Sequence, residues 1–257
     1  KVTVFNIESG ILKREEPIVQ ELANEYLTEK GITILNDVTL NSVSNDGNKP
    51  VITANGQNYT FDAVLYATGR KPNTANIGLE NTDITTNERG AIVVNDTCES
   101  SVPGVYAVGD VNGGPQFTYI SLDDFRIVFG ALTGNGQYTL KDRKNIPYTT
   151  FLTPPLARVG LTEEDAINKG YTVKTKEMLV TTMPRAHVND YLKGAFKIVV
   201  NAENNLILGA TLYSQGAEEL INLIKMAMDN NIPYTYFKNQ IFTHPTMAEN
   251  LNDLCNF

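Results

Sequence analysis

The sequence predicts an α/β region followed by an α+β region. Strand and helix patterns alternate over residues 1–70, which is typical of a parallel sheet covered by helices. From Ile146 onward several short strand patterns follow one another, and such spacing favours an antiparallel sheet. Two further apolar strand patterns end in glycine, at Gly69 and Gly109. Ligands often bind where the strands of an open α/β sheet end, so these two places are candidate sites.

In the first region the pattern reads strand, helix, strand. The helix is predicted over residues 15–30, where apolar residues recur on one face, and it stops at Gly31 because glycine takes a left-handed cap at little cost. A hairpin is predicted around Asp46 and Gly47, a pair that accepts positive φ angles. The predicted strands cover residues 2–7, 32–35 and 61–67.

The remaining elements are predicted from the same two periodicities. Between residues 72 and 145, short strands are expected at 91–94 and 105–108, and a helix at 118–132 that ends before Gly134. In the last region the predicted strands cover residues 157–160, 173–180, 195–200 and 206–213, and the predicted helices cover 162–169 and 216–228.

Composition excludes several classes of protein. The formal net charge of -8 argues against nucleic acid or an anionic membrane as a partner. No apolar run approaches the length of a membrane span. The two cysteines, Cys98 and Cys255, are too few for a disulfide framework, and neither belongs to a cluster with metal-ligand spacing. We therefore expect a cytoplasmic protein without a metal, in which Cys98 packs beside a strand and Cys255 is a tail residue.

Two segments after strands carry residues suited to a ligand. Gly69 lets a backbone approach a ligand closely, and Arg70 follows it, although a simple strand-to-loop turn would have the same pattern. Asp110 can accept hydrogen bonds from sugar-type hydroxyls, and Gly109 removes the side chain that would block them; Asp110 could instead cap a turn. The helix start at Thr118 would direct backbone donors towards a carbonyl or a developing anion.

The carboxyl-terminal stretch contains a candidate proton-transfer pair. His244 precedes a proline and a helix start, and Glu249 follows within reach of the imidazole. Thr246 and Glu249 also form a capping box, in which case Glu249 holds the helix start and His244 is a surface residue. The other histidine, His187, has no local partner and is expected to be structural or exposed.

These segments, in this order, resemble the flavoprotein disulfide reductases, also called pyridine nucleotide-disulfide oxidoreductases, over nearly the whole chain. Residues 116–126 differ from the glutathione and lipoamide branches of this family. They are more similar to a bacterial branch related to mercuric reductase, which includes hypothiocyanous acid reductases. The resemblance implies incomplete doubly wound nucleotide-binding domains followed by an α+β dimerisation domain with an antiparallel sheet. Its implied divisions are residues 1–70 from the NAD(P)-binding domain, 71–145 from the FAD-binding domain and 146–257 as the dimerisation domain.

The resemblance also implies roles for the candidate residues. His244 would be the acid-base group, given to the site by the second subunit of a homodimer, with Glu249 as its partner. The residues near FAD would be Gly69, Arg70, Gly109, Asp110 and Thr118. Asn6 stands where many NAD-dependent relatives carry an acid for the ribose. It would repel a 2′-phosphate less than an acid would, and Lys13 or Arg14 is near in sequence, so NADH and NADPH both stay open.

In the family, electrons pass from NAD(P)H through FAD to a cysteine pair and then to a disulfide or similar small oxidised substrate. The family's first FAD glycine motif, its cysteine pair and its NAD glycine loop do not occur in this sequence, whose first residues enter a strand pattern directly. We therefore expect a chain cut from a longer one, inactive alone and binding FAD weakly or not at all.

Two other functions remain open from the sequence. One is a non-catalytic dimerisation or scaffold module with a remnant nucleotide-binding fold. The other is a flavin-dependent oxidase or transhydrogenase that works without a disulfide. Glycine loops and a cysteine pair preceding Lys1 in a longer protein would favour the reductase; glycine loops without the cysteines would favour the oxidase or transhydrogenase.

Overall fold

The computed structural model describes all residues from Lys1 to Phe257. The chain forms two compact units, one made of residues 1–64 and 145–257 and the other of residues 65–144. The three-part division expected from the resemblance stays a prediction, because compact units do not by themselves identify NAD(P)-binding, FAD-binding and dimerisation domains.

The first 64 residues form a short parallel sheet, a helix and an antiparallel sheet. Helix α1 begins at Pro17, a residue that loses no hydrogen bond at the start of a helix. It connects two strands that pair in parallel, with Val2 opposite Ile32 and Phe5 opposite Leu35. The bounds are β1 (Val2–Phe5), α1 (Pro17–Glu29), β2 (Ile32–Leu35), β3 (Leu40–Asp46), β4 (Lys49–Ala54) and β5 (Gln57–Thr60). Strands β3, β4 and β5 form the antiparallel sheet around the predicted hairpin.

The second unit, residues 65–144, has one long helix and little other regular structure. Helix α2 (Thr118–Thr133) ends at Gly134, which has a φ of 70°. Three short 3-10 turns cover Leu79–Asn81, Gly109–Asn112 and Leu140–Asp142. Several apolar side chains on α2 remain exposed, namely Leu122, Phe125, Phe129 and Leu132.

Residues 145–257 form a five-stranded antiparallel sheet covered by helices. Its strand order is β6-β7-β10-β9-β8. Every residue of the inner strand β9 is buried, as expected for a strand packed on both faces. The strands are β6 (Tyr148–Thr150), β7 (Leu156–Gly160), β8 (Val173–Leu179), β9 (Ala195–Asn201) and β10 (Ile207–Tyr213). The helices are α3 (Glu163–Asn168), α4 (Pro184–Val188), α5 (Ala217–Asp229), α6 (Tyr234–Asn239) and α7 (Asn250–Leu254).

A buried cluster of ionic groups ties the start of α1 to this sheet. The Lys197 ammonium on β9 lies 3.0 Å from Glu16, 2.7 Å from Glu163 and 2.9 Å from Glu177. The other carboxylate oxygen of Glu16 accepts a hydrogen bond from the Glu163 backbone N–H at 2.8 Å. The side chains of Lys197 and Glu16 are 5% and 2% exposed, so neither charge is shielded by bulk water.

Three predicted strands do not form, and the prediction that Cys255 is a tail residue was wrong. Residues 61–67 form no strand, and Leu65 is 89% exposed. Residues 91–94 and 105–108 make only isolated bridges. These three runs have strand-like composition, but a strand requires a neighbouring strand for its backbone groups. No named strand of the structure pairs with any of them. Cys255 is fully buried in the core below the five-stranded sheet, together with Leu251 and Leu254, instead of lying in a loose tail.

Candidate functional site

His244 lies in a loop that holds its imidazole against a carboxylate. The loop, residues 240–249, connects α6 to α7 and is called the histidine loop below. Nδ1 of His244 is 2.8 Å from Oε2 of Glu249. The histidine side chain is 70% exposed while that of Glu249 is 18% exposed. An ionised carboxylate only accepts hydrogen bonds, so Nδ1 is the donor and Nε2 points away from this contact, available to exchange a proton.

The reciprocal hydrogen bonds of the alternative capping box are present in the same geometry, but they close a turn just before α7, whose own start at Asn250 has no side-chain cap. Its second carboxylate oxygen accepts a hydrogen bond from the Thr246 backbone N–H at 3.3 Å, and the Glu249 N–H donates to Oγ1 of Thr246 at 3.2 Å. The two carboxylate oxygens therefore have separate tasks, one towards the backbone and one towards the imidazole. The two interpretations of this stretch are compatible.

Gly109 and Asp110 begin a 3-10 turn in the second unit. Gly109 has a φ of 73°, and a Cβ atom there would lie 2.6 Å from Oγ of Ser121, so a larger residue would be strained and crowded. Oδ2 of Asp110 lies 3.8 Å from Nη1 of Arg70, and both side chains are substantially exposed. Gly69 has a φ of 111°, and the space where its Cβ would lie is open.

The helix start predicted at Thr118 is where α2 begins, and no side chain caps it. A 16-residue helix concentrates a partial positive charge at such an end. An exposed carboxylate at Asp110, open space at Gly69 and an uncapped helix start are the kinds of group that suit a cofactor bearing hydroxyls and an electron-rich polar end. The chemistry of these residues therefore fits the FAD that the resemblance implies, because FAD bears sugar-type hydroxyls and an electron-rich ring end.

Sequence reasoning missed Asp124, which organises this turn from inside. The Asp124 side chain is fully buried, and its Oδ2 accepts hydrogen bonds from the Gly109 N–H at 2.7 Å and from Nδ2 of Asn112 at 2.9 Å. Its other oxygen pairs with Nη2 of Arg143. Asp124 directly follows another aspartate in an amphipathic helix pattern, where a solvated acid is the ordinary expectation. Nothing local distinguishes the buried acid from its partly exposed neighbour Asp123.

Asn6 uses its amide to shape its own loop. Nδ2 donates to the carbonyls of Glu8 and Gly10 at 3.1 and 3.0 Å, and to Oδ1 of Asn36 at 2.9 Å. These contacts leave Asn6 fixed at the end of β1, where the sequence predicted a ribose contact. Whether it binds a nucleotide stays a prediction.

Neither cysteine lies in a reactive setting. Burial raises the pKa of the Cys98 thiol to about 11, helped by the nearby Asp124 carboxylate, and burial raises the pKa of Cys255 to about 12. No disulfide is present, and no group of three or more His, Cys, Asp or Glu residues could hold a metal ion. None of the helices combines the length and apolarity needed to cross a membrane.

We expect both thiols to resist the aromatic disulfide reagent DTNB in the folded chain at pH 8. With a pKa of about 11, only about a thousandth of Cys98 is thiolate there, and Cys255 is protonated still more completely. Absorbance should show no release of the reagent's thiolate over minutes, and two equivalents after unfolding in guanidinium. A native thiol that reacts as fast as free cysteine in the same buffer would contradict this.

Two family profiles match the chain. The profile described as pyridine nucleotide-disulphide oxidoreductase matches residues 1–124, and that of the dimerisation domain of the same family matches residues 146–255. The chain therefore belongs to the pyridine nucleotide-disulphide oxidoreductase family, as the sequence motifs predicted. The predicted fold class is also confirmed, with nucleotide-binding regions followed by a dimerisation domain that has an antiparallel sheet.

Among curated relatives, the probable pyridine nucleotide-disulfide oxidoreductase RclA of Escherichia coli is 41% identical over 254 residues, which is 99% of this chain and 58% of the relative. A mercuric reductase of Staphylococcus aureus is 34% identical over 255 residues, which is 98% of this chain and 46% of the relative. This chain thus spans about half the length of these relatives.

Solved structures agree with the family assignment. The structure described as the HOCl-induced flavoprotein disulfide reductase RclA from E. coli superposes with a TM-score of 0.95, covering 99% of this chain and 59% of that one. LpdA from Mycobacterium tuberculosis superposes with a TM-score of 0.90 at 22% identity, over 99% of this chain and 55% of that one, which shows a shared fold.

Proposed function

We propose that this chain is the carboxyl-terminal portion of an FAD-dependent NAD(P)H oxidoreductase that reduces a disulfide or a similar oxidised substrate, with His244 as its acid-base group. The contact between Nδ1 of His244 and Oε2 of Glu249, 2.8 Å long beside a 70% exposed ring, carries the proposal. It orients the imidazole and leaves Nε2 accessible, as a general acid-base group requires. The E. coli relative, a flavoprotein disulfide reductase, supports the substrate class.

In this function Glu249 orients the ring while Nε2 takes up and releases a proton. Nε2 would give a proton to a departing thiolate and take one back when a thiol is oxidised. In the proposed homodimer, the histidine of one subunit serves the sulfur centre of the other. Both cysteines of this chain are buried and unpaired, so the sulfur centre would come from residues outside it.

We propose that FAD is held in part by the second unit. Asp110 would accept hydrogen bonds from the hydroxyls of FAD. Gly69 and Gly109 would leave room for the cofactor beside the backbone, and the start of α2 at Thr118 would face its electron-rich end. Arg70 would keep the Asp110 carboxylate in place, and Asn6 would lie near the nicotinamide nucleotide. When bound, FAD supplies electron transfer between the nicotinamide and the sulfur centre. The chain alone is proposed to bind it weakly and to be inactive.

Assembly and location follow from the same proposal. We propose a homodimer, supported by the match to a dimerisation domain, and a cytoplasmic location, supported by two unpaired thiols. The domain division at residues 1–70, 71–145 and 146–257 is part of the proposal. Light scattering of the purified chain should give twice the monomer mass of 28.3 kDa.

A chimera tests the proposed chemistry. We expect the E. coli relative, with its matching segment replaced by this chain, to bind FAD and to reduce DTNB with NAD(P)H. In this chimera His244→Ala should lower turnover about a hundredfold, while flavin reduction by NAD(P)H, followed by stopped-flow absorbance, should change less than about twofold. His187→Ala is the matched control and should leave both steps unchanged.

Equal losses in both half-reactions for His244→Ala would contradict the acid-base role, because they would indicate a structural task. A chimera that retains FAD and is reduced by NAD(P)H but never reduces a disulfide would instead favour the oxidase or transhydrogenase alternative. Failure of the chimera to bind FAD, although it folds and dimerises, would favour the scaffold module.

A further inference from the structure

Asn252, on helix α7, holds the chain at the point where it enters the histidine loop. Its Nδ2 donates to the backbone carbonyls of Phe237 at 2.7 Å and Gln240 at 2.9 Å, with a longer contact to that of Lys238 at 3.4 Å. The carbonyls of Phe237 and Lys238 lie at the end of α6, and that of Gln240 belongs to the first residue of the histidine loop. A single side-chain amide therefore connects the end of this short helix to the start of the loop, where the Phe237 carbonyl also accepts the Gln240 backbone N–H at 3.4 Å.

The helix that carries Asn252 is itself firmly anchored. Leu251, Leu254 and Cys255 are fully buried in the core below the five-stranded sheet. The ammonium of Lys176 on β8 donates to the carbonyls of Asp253 and Asn256 at 2.7 and 2.6 Å. Since α7 is fixed on both sides, its asparagine can serve as a rigid support for the adjacent loop.

The histidine loop needs such a support because its backbone N–H groups form no regular pattern of backbone hydrogen bonds. No backbone N–H from Ile241 to Glu249 donates to a backbone carbonyl. The outgoing half of the loop is held by Asn250, whose Nδ2 donates to the carbonyls of Thr246 and Met247 at 3.2 and 3.0 Å. The incoming half begins with Gln240 and Ile241, and Ile241 is 95% exposed and gives no packing. Further along, Phe242 packs against the core, and Oγ1 of Thr246 donates to the Thr243 carbonyl at 2.7 Å. The side chain of Asn252 is thus the side-chain tether at the start of the incoming half, through the Gln240 carbonyl.

We propose that Asn252 is a positioning residue that fixes the direction of the His244 imidazole by holding the incoming half of the histidine loop. This inference rests on the proposed function, in which His244 moves protons. The side chain of Asn252 forms no hydrogen bond to His244 or Glu249 and acts through the backbone of residues 237–240; the Asn252 backbone N–H, which a substitution keeps, donates to the Glu249 carbonyl at 3.0 Å. Its loss should disturb the pairing of the imidazole with Glu249 while leaving the core intact.

The chain contains two histidines, and their contacts predict opposite tautomers. Nδ1 of His244 faces a carboxylate, so neutral His244 carries its proton on Nδ1. Nε2 of His187 is 2.8 Å from the Thr181 carbonyl, so neutral His187 carries its proton on Nε2. Long-range ¹H–¹⁵N NMR spectra of the ¹⁵N-labelled chain at alkaline pH distinguish the two forms, and His187 serves as the internal reference.

We expect Asn252→Ala to lower the ratio of the Nδ1–H to the Nε2–H form of His244 about fivefold to tenfold, because about two hydrogen bonds that fix the loop are lost. The His187 signals should not move. Asn252→Gln keeps an amide donor and should recover part of the ratio. Asn222→Ala is the matched control, since Asn222 also donates its amide to backbone carbonyls, those of Glu218 and Glu219, but within helix α5.

An unchanged His244 ratio in Asn252→Ala would overturn the proposal, and so would an equal change in Asn222→Ala. If Asn252→Ala shifts His187 as well, the fold has loosened, and Asn252→Leu, which keeps the volume and lacks donors, becomes the deciding variant under the same criteria. Glu249→Leu, which removes the acceptor that faces Nδ1, separates this inference from the proposed function. An unchanged ratio in Glu249→Leu counts against the acid-base pair itself, whereas a failure of Asn252 alone leaves that pair intact.

Discussion

Replacing Lys197 with methionine is expected to lower the free energy of unfolding by about 3–5 kcal/mol. The substitution removes the ammonium that Glu16 faces at 3.0 Å, and the Glu16 side chain is 2% exposed. A buried carboxylate without its partner bears the full cost of its lost hydration. Glu163 and Glu177 are 36% and 43% exposed and can regain water, so Glu16 accounts for most of the loss. Urea denaturation followed by circular dichroism measures the change.

Lys225→Met is the matched control. Lys225 pairs with Asp229 one turn away on α5, at the edge of the core, and such helix pairs contribute about 0.5 kcal/mol. The double variant Lys197→Met with Glu16→Gln should recover part of the loss, because no uncompensated charge remains. Equal destabilisation by Lys197→Met and Lys225→Met would show that the buried cluster contributes no more than a surface pair.

The same cluster predicts a dependence of stability on alkaline pH. Burial lowers the pKa of Lys197, but hydrogen bonds to Glu163, Glu177 and Glu16 outweigh it and raise the pKa above the ordinary lysine value. A raised folded-state pKa means that the stabilisation is fully present below the unfolded lysine pKa near 10.4 and is lost as pH rises through the higher folded value. Lys197→Met should therefore flatten the fall in stability above about pH 10.

Asp124→Ala is expected to destabilise the second unit by about 3–5 kcal/mol. It leaves the Arg143 guanidinium, whose side chain is 10% exposed, with Asp123 alone, and it removes the acceptor of the Gly109 N–H. The 3-10 turn that presents Asp110 then loses its internal support. Urea denaturation measures the global effect, and hydrogen exchange at the Gly109 amide measures the local one, which should become markedly faster.

The neighbouring Asp123→Ala tests whether the effect belongs to the buried acid. Asp123 also pairs with Arg143, at 2.8 Å, but its side chain is 18% exposed and Asp124 would remain to neutralise the guanidinium. We expect a loss of about 1 kcal/mol from this variant, with Gly109 exchange nearly unchanged. If the two variants behave alike, Asp124 has no special position in the turn.

Periodicity was a good guide wherever an element finds a packing partner within its own compact unit. Helix α1, predicted over residues 15–30, covers Pro17–Glu29, and strand β2 lies at Ile32–Leu35 as predicted. The four predicted strands and two predicted helices of the last region are present with shifts of at most two residues at any end. In these places the apolar face that the sequence displays meets a core within the same compact unit, which for α1 includes Leu156 and Tyr213 of the last region.

Periodicity failed where the partner of an element is not nearby. Residues 61–67, 91–94 and 105–108 have the composition of buried strands, yet none forms a strand in this structure. Composition reports that a segment can pair, whereas pairing itself requires a second edge at hydrogen-bonding distance. The same distinction explains Cys255, whose burial depends on the sheet beneath α7 and not on its position near the end of the chain.

Local sequence was therefore sufficient for the helices and strands that find a packing partner, for the family motifs and for the contact of His244 with Glu249, since each is encoded by residues a few positions apart. The burial of Asp124 beside Arg143, the ionic cluster around Lys197 and the support of the histidine loop by Asn252 depend on the folded chain. They arise because distant segments desolvate the same polar groups, and no local pattern records which charge will lose its water.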